Sequence, residues 1–255
     1  MSAGKPSLAR PAKVPVALQL WSVREDMKRD FAATAAAVAE IGYAGVELAG
    51  YGNLDARGAK AALDAAGLKV AGMHVAYPSL AGDPGPVIGD ALLLGCRNVV
   101  CSWWPPEHFV SSAACERIGE QLGAVGRVMR GFGIRFGFHN HDQEFQVFDG
   151  RPAFDWMLGA TEPRDLFAEA DVYWADHAGY SPAKFIRDHG ARVALVHLKD
   201  EKELGGGPVD FEQVFAATDS VGAVEWYVVE QEEYSHAPIT SVRLCYEQMK
   251  TWGRA

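Results

Sequence analysis

The chain has 255 residues, of which 49% are hydrophobic, 22% charged and 11% aromatic, with seven Trp. This composition excludes a disordered protein and supports a globular chain with a sizeable core. A net charge of −9, with no Lys/Arg cluster to offset it, repels phosphate backbones and argues against nucleic acid as a partner.

The opening MSAGKPSLARPAKVP is polar and Pro-rich and lacks the apolar core of a signal peptide. Residues 1–13 read as a flexible arm and residues 14–255 as one catalytic domain. Short β-like runs then alternate with longer helical ones: VPVALQL and DFAATAAAVAEIG; AGVEL and DARGAKAALDAAG; LKVAGMHV and PVIGDALLLG; RNVVCS and SSAACERIGEQLGAVGRVMRGFG. The second half repeats the pattern with IRFGFHNH and RPAFDWMLGA, DLFAEADV and SPAKFIRDHG, RVALVHL and VDFEQVFAATDSVG, and VEWYVVE and ITSVRLCYEQMKTW. Glycines recur at helix ends, where left-handed geometry favours them. Eight strand–helix units over about 250 residues predict an α/β fold, a single (β/α)8 TIM barrel. The doubly wound alternative expects a Gly-rich phosphate turn after the first strand, which LQLWSVRED lacks. The four cysteines make no C-x-x-C pair, so a reducing, cytoplasmic setting fits best. No apolar run approaches the ~20 residues that span a bilayer, so a membrane is not expected as a partner.

Strand ends carry the chemistry of such a barrel. Read in order they are Gln19, Glu47, His74, Ser102 or Trp103, His139, Asp171, His197 and Glu230. They recur at an average interval of about 30 residues, the length of one β/α unit. Strands five to eight bring two imidazoles and two carboxylates together, a donor set for one divalent ion such as Mn, Co, Mg or Zn. The expected metal ligands are His139, Asp171, His197 and Glu230. His141 could ligate as well or touch substrate, Glu144 could reach substrate or orient His141, and Asp142 is expected to cap the strand–loop junction. Glu47 and His74, across the mouth, would bind hydroxyls or move protons. Gln19, Trp21, Trp103 and Trp174 are further substrate-binding candidates; Trp104 could share the apolar wall, although core packing is the commoner role for Trp. Lys199 could bind substrate or pair with Asp200, the pair being favoured. The run ELGGGPVDF, residues 203–211, could cradle a phosphate or form a rim loop.

Six motifs in order, LQLWSVREDM, GYAGVELAGY, FGFHNHDQEF, DVYWADHAG, VALVHLKD and VEWYVVEQE, resemble the xylose-isomerase-like sugar phosphate isomerase/epimerase superfamily from about Val16 to Trp252. The resemblance implies a TIM barrel with one divalent metal held by the four residues above. It is imperfect. Epimerases of the superfamily carry Glu at the strand-five position and pair it with the strand-eight Glu as two bases, whereas this chain has His139. Some also carry His where this chain has Trp174. Two-Glu epimerisation is therefore in doubt, and isomerisation, dehydration or β-elimination with His141, Glu144 or Glu47 as the other base gains ground. The expected activity is a metal-dependent isomerase/epimerase on a keto-sugar or cyclitol, with Glu230, His141, Glu144 and Glu47 as catalytic candidates. It would abstract the proton alpha to a carbonyl and pass through an enediolate. A lyase or dehydratase is the alternative. An endonuclease IV-like repair enzyme and a non-catalytic sugar-binding barrel rank lower. A homo-oligomer is consistent with the fold.

Overall fold

Most barrel strands are short, largely apolar runs buried on both faces, the pattern a parallel sheet covered by helices requires. A computed structural model describes residues 13–255; most of the predicted N-terminal arm lies outside the described residues. The strands are β1 (Val16–Gln19), β2 (Gly45–Leu48), β3 (Lys69–Val75), β4 (Asn98–Cys101), β5 (Arg135–His139), β6 (Phe167–Asp171), β7 (Val193–Leu198) and β8 (Trp226–Val229). They pair in parallel, in sequence order, and β8 closes on β1. The predicted single (β/α)8 barrel is the observed fold. A two-stranded antiparallel hairpin, Val147–Phe148 with Arg151–Pro152, follows β5.

The principal outer helices are α1 (Phe31–Ile41), α2 (Ala56–Ala66), α3 (Gly85–Leu94), α4 (Ser112–Arg130), α5 (Ala153–Gly159), α6 (Pro182–His189), α7 (Phe211–Val221) and α8 (Pro238–Thr251). Local chemistry sets their limits. Asp30, Asp55, Ser111, Ser181 and Asp210 each accept a backbone N–H three residues on, as N-caps do. Gly42, Gly67, Gly95 and Gly222 end α1, α2, α3 and α7 in left-handed geometry.

Inside the barrel, Ala17, Val100, Phe167, Leu195 and Val228 are buried. Each has the parity of its strand's polar end residue, so an apolar floor fills the lower barrel and the polar groups stand above it. The cysteines are buried and unpaired, and burial pushes the thiols of Cys96, Cys101 and Cys245 up to about 12. No helix among the described residues is long and apolar enough to cross a membrane.

Candidate metal centre

His139, Asp171, His197 and Glu230 reach the C-terminal mouth from β5, β6, β7 and the end of β8. One ligand-type atom of each lies within 4.8 Å of the others, and all four residues are buried. Beside them is a cavity of about 360 Å³ whose walls include His74, His139, His141, Glu230, Trp21 and Trp103.

Beneath this quartet lies a second polar layer. His139 Nδ1 is 3.2 Å from Glu169 Oε2, and His197 Nε2 is 2.6 Å from Glu47 Oε2. On the opposite ring nitrogens, His139 Nε2 is 3.9 Å from Asp171 Oδ2, and His197 Nδ1 is 3.4 Å from Glu230 Oε2. Glu169 and Glu47 therefore hold one nitrogen of each imidazole and leave the other turned to the quartet, the carboxylate–histidine arrangement that orients metal ligands. His74 joins the two carboxylates, its Nε2 lying 2.5 Å from Glu169 Oε2 and 3.1 Å from Glu47 Oε2. His74, His139, Glu169 and His197 also form a compact set of donors by themselves.

Glu169 lies two residues before Asp171 on the same strand face, inside the strand and not at its end. Asn140, like Glu169, is not among the expected site residues. Its side chain donates to the Asp171 carbonyl at 3.1 Å and accepts the Asp171 N–H at 2.9 Å, locking the β6 end to β5.

Burial opposes every charge here, and partners decide which survive. Glu47 would be raised by burial, but His74 and His197 hold it well below the usual carboxylate range. Burial and Glu47 would raise Glu169, but His197 and His74 hold it down at about 2. Lys199 and His197 do the same for Glu230, well below its ordinary value. Burial would lower His74, yet Glu47 and Glu169 raise it to about 10, and Glu169 and Glu47 likewise raise His197. His139 is pushed down by burial and by the His197 charge. Glu47, Glu169 and Glu230 thus face His74, His197 and Lys199, and Lys199 is shared with Glu232.

Asp171 has no such compensation. Burial lifts its carboxyl to about 7 despite Lys199 and His197. One oxygen caps the short helix Val172–His177 by accepting the Trp174 N–H at 2.8 Å; the other, Oδ2, is buried without a partner. An orphaned carboxylate oxygen beside two presented imidazole nitrogens and Glu230 is a donor set that fits a divalent cation.

Several expected positions need correction. Gln19 does not reach the mouth: it is buried, donates to Glu47 Oε2 at 2.8 Å and accepts the Trp21 N–H. Glu47 lies beneath the mouth as well. Its strand partner is Gly72, two residues before His74, and the register shifts between Val46 and Glu47. Lys199 pairs with Glu232, not Asp200, and its ammonium sits 4.7 Å from the Trp174 ring. Trp174 packs against His141, with ring centroids 5.4 Å apart, and lies outside the cavity wall. Asp142 is exposed and makes no side-chain cap. Glu144 is buried and accepts the His141 N–H at 2.7 Å. Trp21, Trp103, His74 and His141 do line the cavity.

The glycine run after β7 is no phosphate cradle. Asp200 Oδ2 already accepts the Gly205 and Gly207 N–H groups at 3.0 Å each, and Oδ1 accepts the Glu201 N–H. A Cβ at Gly207 would overlap Asp200 Oδ1, so glycine is what admits the carboxylate. Asp200→Ala is expected to lower unfolding free energy in urea by about 1–3 kcal/mol, as orphaned buried donors do. Inorganic phosphate should leave the wild-type melting temperature unchanged; stabilisation by phosphate would restore the cradle reading.

Glu144 supplies a pH test. Burial raises its carboxyl from 4.5 to about 8. The folded state then holds a proton that the unfolded chain releases, so this contribution to stability is present below pH 4.5 and is lost as pH rises to about 8. Glu144→Gln should match wild type in melting temperature near pH 4.5 and exceed it by several degrees at pH 8–9. A gap independent of pH would contradict the assignment.

A closed parallel barrel with nitrogen and oxygen donors converging at its C-terminal mouth defines the TIM-barrel enzyme class. Within it, the chain belongs to the xylose isomerase-like TIM barrel family, whose model matches residues 35–252. A sugar phosphate isomerase/epimerase from Parabacteroides distasonis shares 21% identity over 96% of this chain and 98% of its own, with a TM-score of 0.85. A second structure of that description from the same organism shares 25% over 94% and 98%, with a TM-score of 0.83. A structure described as a probable 3-DHS dehydratase of Bacillus anthracis shares 11% over 92% and 98%, with a TM-score of 0.72. A search of the curated proteins returns no sequence match.

Proposed function

We propose that the protein is a divalent-metal-dependent isomerase or epimerase that moves a proton alpha to the carbonyl of a keto-sugar or cyclitol. The observation that carries this reading is the convergence of His139, Asp171, His197 and Glu230 beside a cavity of about 360 Å³, large enough for a single sugar ring. These four residues would hold the ion, which supplies Lewis-acid polarisation of a carbonyl and its neighbouring hydroxyl. Glu230 is on the cavity wall and ionised at neutral pH, the state a base requires. His141 enters from the β5 side with a neutral ring, since burial lowers it to about 4, and its Nδ1 has no partner. It is suited to hold or pass a proton at a substrate oxygen. Glu144 positions His141 through the backbone N–H and does not meet substrate. Trp21 and Trp103 offer faces to sugar C–H groups, and His74 offers a polar edge.

A dehydratase is the second reading, and the cavity wall favours it over epimerisation. The carboxylates on that wall are Glu230 and Glu232, both from the β8 end. Glu232 is paired with Lys199, which leaves Glu230 as the carboxylate able to act as base, and isomerisation and elimination proceed with one.

The test is proton NMR in D₂O of a panel of keto-sugars and inososes with metal-loaded protein. One alpha deuteron should enter the reactive substrate, stop on chelation and resume on metal return. No exchange across the panel by protein carrying one ion per chain would overturn the reading, and loss of water would select the dehydratase.

A further inference from the structure

A second cavity, about 680 Å³ and mainly apolar, opens between the loops after β3 and β4 and the first half of α4. It shares Trp103 with the site cavity, so the two compartments meet at one indole. Its wall is built rather than incidental. Trp104 is buried, its Nε1–H donates to His108 Nδ1 at 2.9 Å, and its ring lies 4.2 Å from that of Tyr77. The Tyr77 hydroxyl in turn donates to Gln121 at 3.1 Å. Trp103, at 47% exposure, stands free between the fixed aromatics and the metal-centre residues.

Nothing in a lone sugar ring calls for this surface. The smaller cavity is large enough for the ring and already offers it Trp21 and Trp103, and sugar hydroxyls form no hydrogen bonds with a further apolar wall. A planar or apolar group joined to the sugar would cross Trp103 and lie against Tyr77 and Trp104, burying apolar area on rings whose positions are already set. We infer that the Tyr77–Trp103–Trp104 cavity is an aglycone subsite, and that the substrates are sugars bearing an aromatic or apolar substituent. The substrate class rests on the sugar reading of the neighbouring cavity.

Val110 lines the subsite, is 67% exposed and plays no part in the metal centre, so Val110→Asp places a charge in the wall without disturbing the fold. The probes are 4-nitrophenyl and methyl β-D-glucopyranoside, with binding followed by calorimetry and by crystals soaked in each. The aryl glycoside should bind about tenfold more tightly than the methyl one, and Val110→Asp should remove most of that difference, consistent with the size of aromatic contacts. Density should place the aryl ring on Tyr77 and Trp103. No aryl advantage, an advantage untouched by Val110→Asp, no binding of either probe, or an aryl ring elsewhere would overturn the subsite. The D₂O exchange experiment fails or succeeds separately: exchange on free keto-sugars without aryl preference sinks the subsite alone. Aryl preference without exchange sinks the catalytic reading and leaves the subsite standing.

Discussion

Asp171→Asn is expected to abolish retention of a divalent ion while leaving the barrel folded. The substitution removes the carboxylate that a bound ion would call on at the centre of the quartet. The helix cap survives, because a carboxamide oxygen can still accept the Trp174 N–H that Asp171 Oδ1 accepts now. Partners one layer out from a metal typically change affinity by about 10–100-fold, so loss of a direct anionic ligand should cost at least about a hundredfold. Metal content after desalting should fall from one ion per chain to near none, and the rise in melting temperature caused by Mn²⁺ should disappear. Glu169→Gln should lower affinity less, because Glu169 acts through His139. The reverse ranking, with Asp171→Asn holding its ion and Glu169→Gln losing it, would move the site to His74, His139, Glu169 and His197.

Gly72→Ala should damage both fold and site. A Cβ on Gly72 would overlap Glu47 Oε1, and Glu47 cannot retreat because Gln19, His74 and His197 hold its other oxygen. Forcing one methyl into such a site costs about 1–3 kcal/mol, readable as a lower urea midpoint. Any shift of Glu47 also frees the His197 ring, so metal affinity should fall with stability. The double variant Gly72→Ala, Glu47→Ala should lose less than the sum of the two single variants, since the clash and its target vanish together. Strict additivity would show that the methyl acts elsewhere.

The barrel was legible in the sequence because its signals are local. A buried parallel strand reads as a short apolar run, and helix ends carry Asp, Ser and Gly for stereochemical reasons that need no tertiary context. The convergence of the four donors was legible for a related reason, since one polar residue followed each of four apolar runs at a common phase. Depth was not legible. Gln19 and Glu47 occupy strand ends just as His197 does, yet the stagger of the barrel and the register shift at Val46/Glu47 set them a layer lower. Partner choice was hidden as well. That Asp200 fills the glycine loop and Glu232 takes Lys199 depends on how loops fold back, which no periodicity encodes. Glu169 is in phase with Asp171 but lies inside the strand and not at its end.

The protons held by Asp171 and His197 change what loading the protein would mean. Burial holds the Asp171 carboxyl at about 7, and Glu169 and Glu47 raise His197, so a divalent ion would have to displace a proton from each. Under the proposed function the protein behaves as a selective ion exchanger: below pH 7 its grip on metal should weaken on the order of a hundredfold per pH unit. Mild acid would strip the ion from an intact barrel, and neutral buffer would restore it.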